Sequence, residues 1–168
     1  MKTIAVVMGS AGDLPVAQKA IDTLKEFGAP CTVRVLSAHR TADAARTFAL
    51  SARENGFGAL IAVAGMAAHL AGALAANTTL PVVGVPVSSG DVLGLDALLS
   101  TVQMPSGVPV ATVAVGGGRN AALLCLQMLA ISDKDLAGKL DSARTKMAQE
   151  SLEKDALISK LYSSLLEE

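Results

Sequence analysis

The chain has 168 residues, 51% hydrophobic and 17% charged, with 14 basic against 15 acidic side chains and a formal charge of −1. That length suits one domain with a sizeable core, and the balanced charge excludes the broad basic surface that a nucleic-acid backbone requires. The charged fraction lies below the roughly 25% of an average soluble chain, which points to subunit surface buried in an oligomer; an alanine-rich sheet covered on both faces has the same composition.

Residues 4–8 are predicted as a short strand ending at Gly9-Ser10. Asp13 suits the cap of the next helix and Pro15 its first turn. Val16, Ala20, Ile21, Leu24 and Phe27 recur at helical spacing, and Gly28 ends the element. A strand over 31–36 leads to a loop with His39 and a helix over about 42–55, closed by Gly56. A strand over 59–63 leads to a loop with His69 and a helix of small residues reaching Asn77. The fourth strand, 81–86, is bounded by prolines. Ser88, Ser89, Gly90 and Asp91 then open a helix to Thr101, with Asp91 and Asp96 placed to cap and stabilise it. Residues 110–115 form the fifth strand, 116–118 a glycine run, and 120–131 an apolar helix.

Short apolar strands alternating with helices predict an α/β parallel sheet covered on both faces, over residues 1–131. Right-handed crossovers gather every strand-to-helix loop at one sheet edge, where α/β domains bind ligands. Those loops carry Ser10, Asp13, His39, Arg40, His69, Ser88, Ser89 and Arg119. His39 and His69 are the only histidines, so two such loops point to one site. Residues 132–168 are more charged, with widely spaced leucines and Asp133 as a cap. They read as a helical extension packing on its own domain or on a neighbouring subunit. Cys31 and Cys125 fit no paired motif and are expected to be buried free thiols. No signal-like leader and no apolar run of about 18 residues is present, so a soluble, cytoplasmic chain without membrane contact is expected.

The Gly9-Ser10-Ala11-Gly12-Asp13 turn offers backbone N–H groups at a helix start, a favourable place for phosphate. Ser10 adds a hydroxyl donor and Asp13 an acceptor for ribose hydroxyls. In Ser37-Ala38-His39-Arg40-Thr41 the guanidinium suits a phosphate and the imidazole suits general acid–base chemistry. The small residues Ala64, Gly65, Ala67, Ala68, Ala71 and Gly72 around His69 let backbone approach a flat ligand. Gly116-Gly117-Gly118-Arg119-Asn120 reads either as a phosphate loop or as a tight turn. No His/Cys/Asp cluster has metal-ligand spacing, and no Gly-x-Ser-x-Gly elbow is present.

Several of these motifs, in register over residues 4–135, closely resemble one family. They are Met8-Gly9-Ser10 with Asp13, Ser37-Ala38-His39-Arg40-Thr41, Ala67-Ala68-His69-Leu70, the run 81–87 and the run 102–112. The chain resembles the N5-carboxyaminoimidazole ribonucleotide mutases of purine biosynthesis and the related phosphoribosylaminoimidazole carboxylases. The resemblance implies a three-layer flavodoxin-like domain, a homo-octamer, a ribonucleotide substrate with carbon dioxide as a trapped intermediate, and no cofactor. By position it implies His39 as general acid and base. It implies substrate contacts from Gly9, Ser10, Asp13, Ser37 and Arg40, with Gly65, Ala68, His69 and Leu70 lining the base pocket. Gly12 stands at a usual serine, Ala42 and Ala71 at usual prolines and Met66 at a usual glycine, and the 116–119 loop is shorter than in many bacterial mutases. Direct carboxylation of the uncarboxylated nucleotide stays open as an alternative, as do action on another carboxylated heterocycle and a nucleotide- or flavin-binding module. The lack of Trp and a single Tyr, Tyr162, weigh against flavin stacking.

Overall fold

Largely apolar runs form the central strands of the computed structural model, which describes residues 1–89 and 92–163. The strands are β1 (Thr3–Met8), β2 (Cys31–Val35), β3 (Phe57–Gly65), β4 (Val82–Val87) and β5 (Ala111–Thr112). All pairings are parallel, in the order β2-β1-β3-β4-β5. This is the flavodoxin-like order, in which the chain reverses its direction of travel across the sheet between β1 and β3. The helices between the strands are α1 (Leu14–Glu26), α2 (Ala42–Ser51), α3 (Leu70–Ala75), α4 (Leu95–Val102) and α5 (Gly118–Ala130).

Both faces of β1, β3 and β4 are buried, which is why these strands show no polar alternation, whereas the edge strand β2 alternates with Thr32 and Arg34. Alternate residues of each strand point to opposite faces. Ala5 and Val7 of β1 and Leu60 and Ala62 of β3 join a core completed by α2, α3 and α4 through Ala45, Ala49, Leu70, Leu74 and Ala97. Ile4, Val6, Ile61 and Val63 are buried on the opposite face. There α5 lies against α1 so closely that a Cβ on Gly118 would run into the Val16 carbonyl. Gly118, the first residue of α5, therefore serves helix packing, whereas Gly116 turns left-handed at φ +70°.

β5 is shorter than the predicted 110–115. Gly84 and Pro86 turn their carbonyls toward it, accepting from Val113 N–H at 3.0 Å and Gly116 N–H at 2.8 Å. Pro86 has no N–H to return, so the regular ladder ends at Thr112. β3 runs longer than expected because Ala64 and Gly65 still pair with Pro86 and Val87. α2 and α3 stop early. Residues 52–55 close the former as turns, with Gly56 left-handed at φ +79°, and the Asn77 side chain donates to the Ala73 carbonyl to finish the latter.

The chain divides into two compact units, Met1–Leu129 and a second beginning at Ala130. The second holds α6 (Lys134–Ser163), one continuous helix of 30 residues capped by Asp133, whose carboxylate accepts from Leu136 N–H at 3.0 Å. Among the described residues no helix is long and apolar enough to cross a membrane. Cys31 is half-buried rather than buried, whereas burial pushes the Cys125 thiol up to about 12.

Candidate active site

The loops that follow β1, β2, β3 and β4 surround one cavity of about 730 Å³ at the carboxyl edge of the sheet, over the reversal between β1 and β3. Gly9 N–H donates to the Val63 carbonyl at 2.9 Å and fixes the first loop to the end of β3. The second loop is organised by two hydroxyls. Ser37 Oγ accepts from the backbone N–H groups of His39 (3.3 Å) and Arg40 (3.1 Å). Thr41 Oγ1 accepts from Ser37 N–H (2.8 Å) and donates to the Ser37 carbonyl (3.2 Å). This Ser/Thr turn holds His39 and Arg40 side by side without using the imidazole, while Arg40 Nε also donates to Ser37 Oγ at 3.5 Å. Thr41 had no role in the sequence reading beyond its place in the motif.

Arg40 Nη2 donates to the Gly9 carbonyl at 3.1 Å, joining the second loop to the first. The residue stays exposed and lines the same cavity as the Ser10 turn. His39 reaches the third loop, where its Nε2 lies 2.9 Å from His69 Nδ1, the rings edge to face with centroids 5.0 Å apart. One ring must supply the N–H and the other the lone pair, so a single proton lies between the only two histidines of the chain. Their separation of thirty residues hid this contact from the sequence.

Asp13 does not cap α1 with its side chain. Ser10 caps a single 3₁₀ turn (Ala11–Asp13) instead, its Oγ accepting from Gly12 N–H at 3.0 Å. The Asp13 carboxylate turns back to accept from Ser10 N–H at 2.9 Å, closing a reciprocal capping box. Burial raises the Asp13 carboxyl above its usual 3.8, against the lowering effects of the Ser10 and Gly9 N–H groups and the Arg40 charge. A raised acid holds its proton more tightly in the folded chain. Its contribution to stability is therefore full below 3.8 and is lost as pH rises through the folded value. Asp13→Asn keeps an acceptor for Ser10 N–H and removes the buried charge. It should raise the urea midpoint at pH 7, with the gain vanishing near pH 3.5.

Met66 sits on the rim of the cavity, 68% exposed and left-handed at φ 55°. A side chain in that conformation costs about 1 kcal/mol that glycine avoids. Met66→Gly should therefore stabilise the fold by about 0.5 kcal/mol after the added freedom of the unfolded chain is subtracted, seen as a higher denaturant midpoint at unchanged slope.

Gly9, Ser10, Asp13, Ser37, His39, Arg40, Gly65, His69 and Leu70 all line the cavity. Ala68 does not. Its side chain is buried in the core, and its carbonyl accepts from Thr101 Oγ1 at 3.5 Å. Arg119 turns away to pair with Glu26 at 2.9 Å, so the glycine run ending there contributes no cation to the cavity. Val87, Ser88 and Ser89 complete the wall from β4; a Ser-Ser-Gly-Asp string reads in sequence mainly as a helix opening. The Gly90 and Asp91 expectations lie outside the described residues. Among those described, no group of three His, Cys, Asp or Glu side chains is placed to hold a metal ion.

A model of the AIR carboxylase family matches residues 3–150. The N5-carboxyaminoimidazole ribonucleotide mutase of Mycobacterium tuberculosis is 48% identical over 162 residues, covering 96% of this chain and 93% of that protein. The Bacillus subtilis protein of the same name is 50% identical over 152 residues, covering 89% and 94%. Among solved structures, the crystal structure of Treponema denticola PurE superposes with a TM-score of 0.82 at 29% identity, covering 92% of this chain and 96% of that one.

Proposed function

The chain belongs to the AIR carboxylase family, and from that membership we propose that it acts in purine biosynthesis as an isomerase, moving the carboxyl group of N5-carboxyaminoimidazole ribonucleotide from the exocyclic nitrogen to ring carbon C4. The observation that carries this reading is the convergence on one cavity of an imidazole pair, His39 and His69, with Arg40 and the Ser10 turn. The permanent cation and the N–H groups of a helix-opening turn suit the 5′-phosphate. Asp13 suits the ribose hydroxyls. The small residues around Gly65 leave room for a flat heterocycle beside the histidines.

His39 in its protonated form gives a proton to the exocyclic nitrogen; the N–C bond breaks and carbon dioxide is released. The adjacent enamine-like C4 attacks the trapped carbon dioxide and forms the new C–C bond. His39 then takes the C4 proton, so the net proton count is unchanged and no external energy source enters. Confinement supplies most of the acceleration, since carbon dioxide held next to C4 reacts before it diffuses away. His69 orients the His39 ring through the 2.9 Å contact. We extend the proposal to a homo-octamer, supported by apolar side chains left exposed on β2 and α4, among them Val33, Val35, Leu95 and Leu99.

The test offers purified protein the carbamate nucleotide, and separately the uncarboxylated nucleotide with bicarbonate, both without ATP, and follows the C4-carboxylated product. Turnover of the carbamate with little use of bicarbonate is expected. The reverse preference would make the enzyme a direct carboxylase.

A further inference from the structure

Ser89 has a hydroxyl oxygen that is buried yet has no hydrogen-bond partner among the described residues. Such a group costs about 1–3 kcal/mol unless a partner reaches it, and native structures keep few of them. Its surroundings are specific. Ser89 follows β4 and lines the cavity together with Gly65, the last residue of β3. A Cβ added to Gly65 would lie 2.8 Å from Ser89 Oγ and 3.2 Å from the Val87 carbonyl. Glycine at position 65 therefore leaves the hydroxyl its space at the cavity wall.

Position in the sheet indicates which part of a ligand Ser89 meets. In the order β2-β1-β3-β4, the phosphate-suited groups lie on the β2 and β1 loops and the histidine pair spans the β2 and β3 loops. The β4 loop lies two strands beyond β1, about 10 Å away at the usual spacing. That is comparable to the reach of a ribonucleotide from its phosphate to its base. Apart from the two histidines, the wall at that end is built mostly of small or apolar groups, including Ala64, Gly65, Ala67, Leu70 and Val87.

Building on the mutase reading, we propose that Ser89 is a positioning residue for the migrating carboxyl group: its hydroxyl donates to a carboxylate oxygen and holds that group against the histidine pair. The ribose phosphate end does not depend on it. The chemistry recognised is a carboxylate on a planar heterocycle, and the hydroxyl gains the partner it otherwise lacks.

The test measures the affinities of the C4-carboxylated product and of the uncarboxylated nucleotide for the wild type, Ser89→Ala and Gly65→Ala, together with carbamate turnover. Ser89→Ala removes a buried orphan oxygen, so folding should be retained. Affinity for the carboxylated nucleotide should fall about tenfold, with the uncarboxylated nucleotide unchanged within twofold and kcat/KM for the carbamate reduced in parallel. Gly65→Ala crowds the hydroxyl and also narrows the space left for the ring, so both nucleotides should lose affinity, the carboxylated one more. Equal affinities in wild type and Ser89→Ala, or equal losses for both nucleotides, would overturn the proposal. A wild type that fails to turn over the carbamate would instead defeat the mutase reading, because the affinity comparison needs no turnover.

Discussion

Replacing His39 with asparagine should lower carbamate turnover about a thousandfold, the scale of a lost general acid and base, and leave ribonucleotide affinity within a factor of three. The separation follows from how the loop is built. The bonds that shape it use the backbone of His39, through Ser37 Oγ, and the side chain of Thr41. The Arg40 bridge to Gly9 is independent of the imidazole. Asparagine can still offer a polar atom toward His69 Nδ1, but it cannot give up and recover a proton near neutrality. Turnover assays together with calorimetric titration of the product measure both quantities. Activity near that of the wild type would remove His39 from the chemistry, and a parallel loss of affinity would make it a binding residue.

Arg40→Lys should weaken ribonucleotide binding about 30-fold, on the scale of a charge-assisted pair, with kcat at saturation changed less than threefold. Both side chains are cationic, so a role based on charge alone would survive the change. The guanidinium does two things at once that an ammonium cannot copy. Nη2 holds the Gly9 carbonyl at 3.1 Å, and the guanidinium lines the same cavity as the Ser10 turn. A lysine that meets the phosphate must give up the bridge between the β1 and β2 loops. A weaker effect on a nucleoside lacking the phosphate, measured alongside, would assign the loss to the phosphate; equal losses would assign it to the bridge.

The sheet was legible because strands buried on both faces must be apolar throughout, and short runs of that kind separated by helical periodicity leave few arrangements. The placement of His39, Arg40, Ser10 and Asp13 at one edge followed from a parallel sheet, whose strands all end at that edge. What escaped was set by contacts between distant residues. The imidazole pair depends on how far two loops lean toward each other. The brevity of β5 turns on the side to which Pro86 would have presented an N–H, a matter of register. Asp13 reads as a helix cap by type, yet it serves the reciprocal bond to Ser10. Ala68 lies inside a motif whose other members line the cavity, but its side chain falls on the core side of the turn. Arg119 follows a glycine run suited to phosphate, and Glu26 claims it.

The strand that carries the His39 loop is the outermost of the sheet, joined along one flank to β1. Its last three residues are exposed, whereas β3 at the centre is buried along almost its whole length. Opening such a margin disrupts one row of hydrogen bonds, so an isolated chain would release the His39 loop through local fraying well short of complete unfolding. Warming should then extinguish turnover before the sheet melts, and deuterium should enter the amides of residues 31–35 ahead of those in the middle strand.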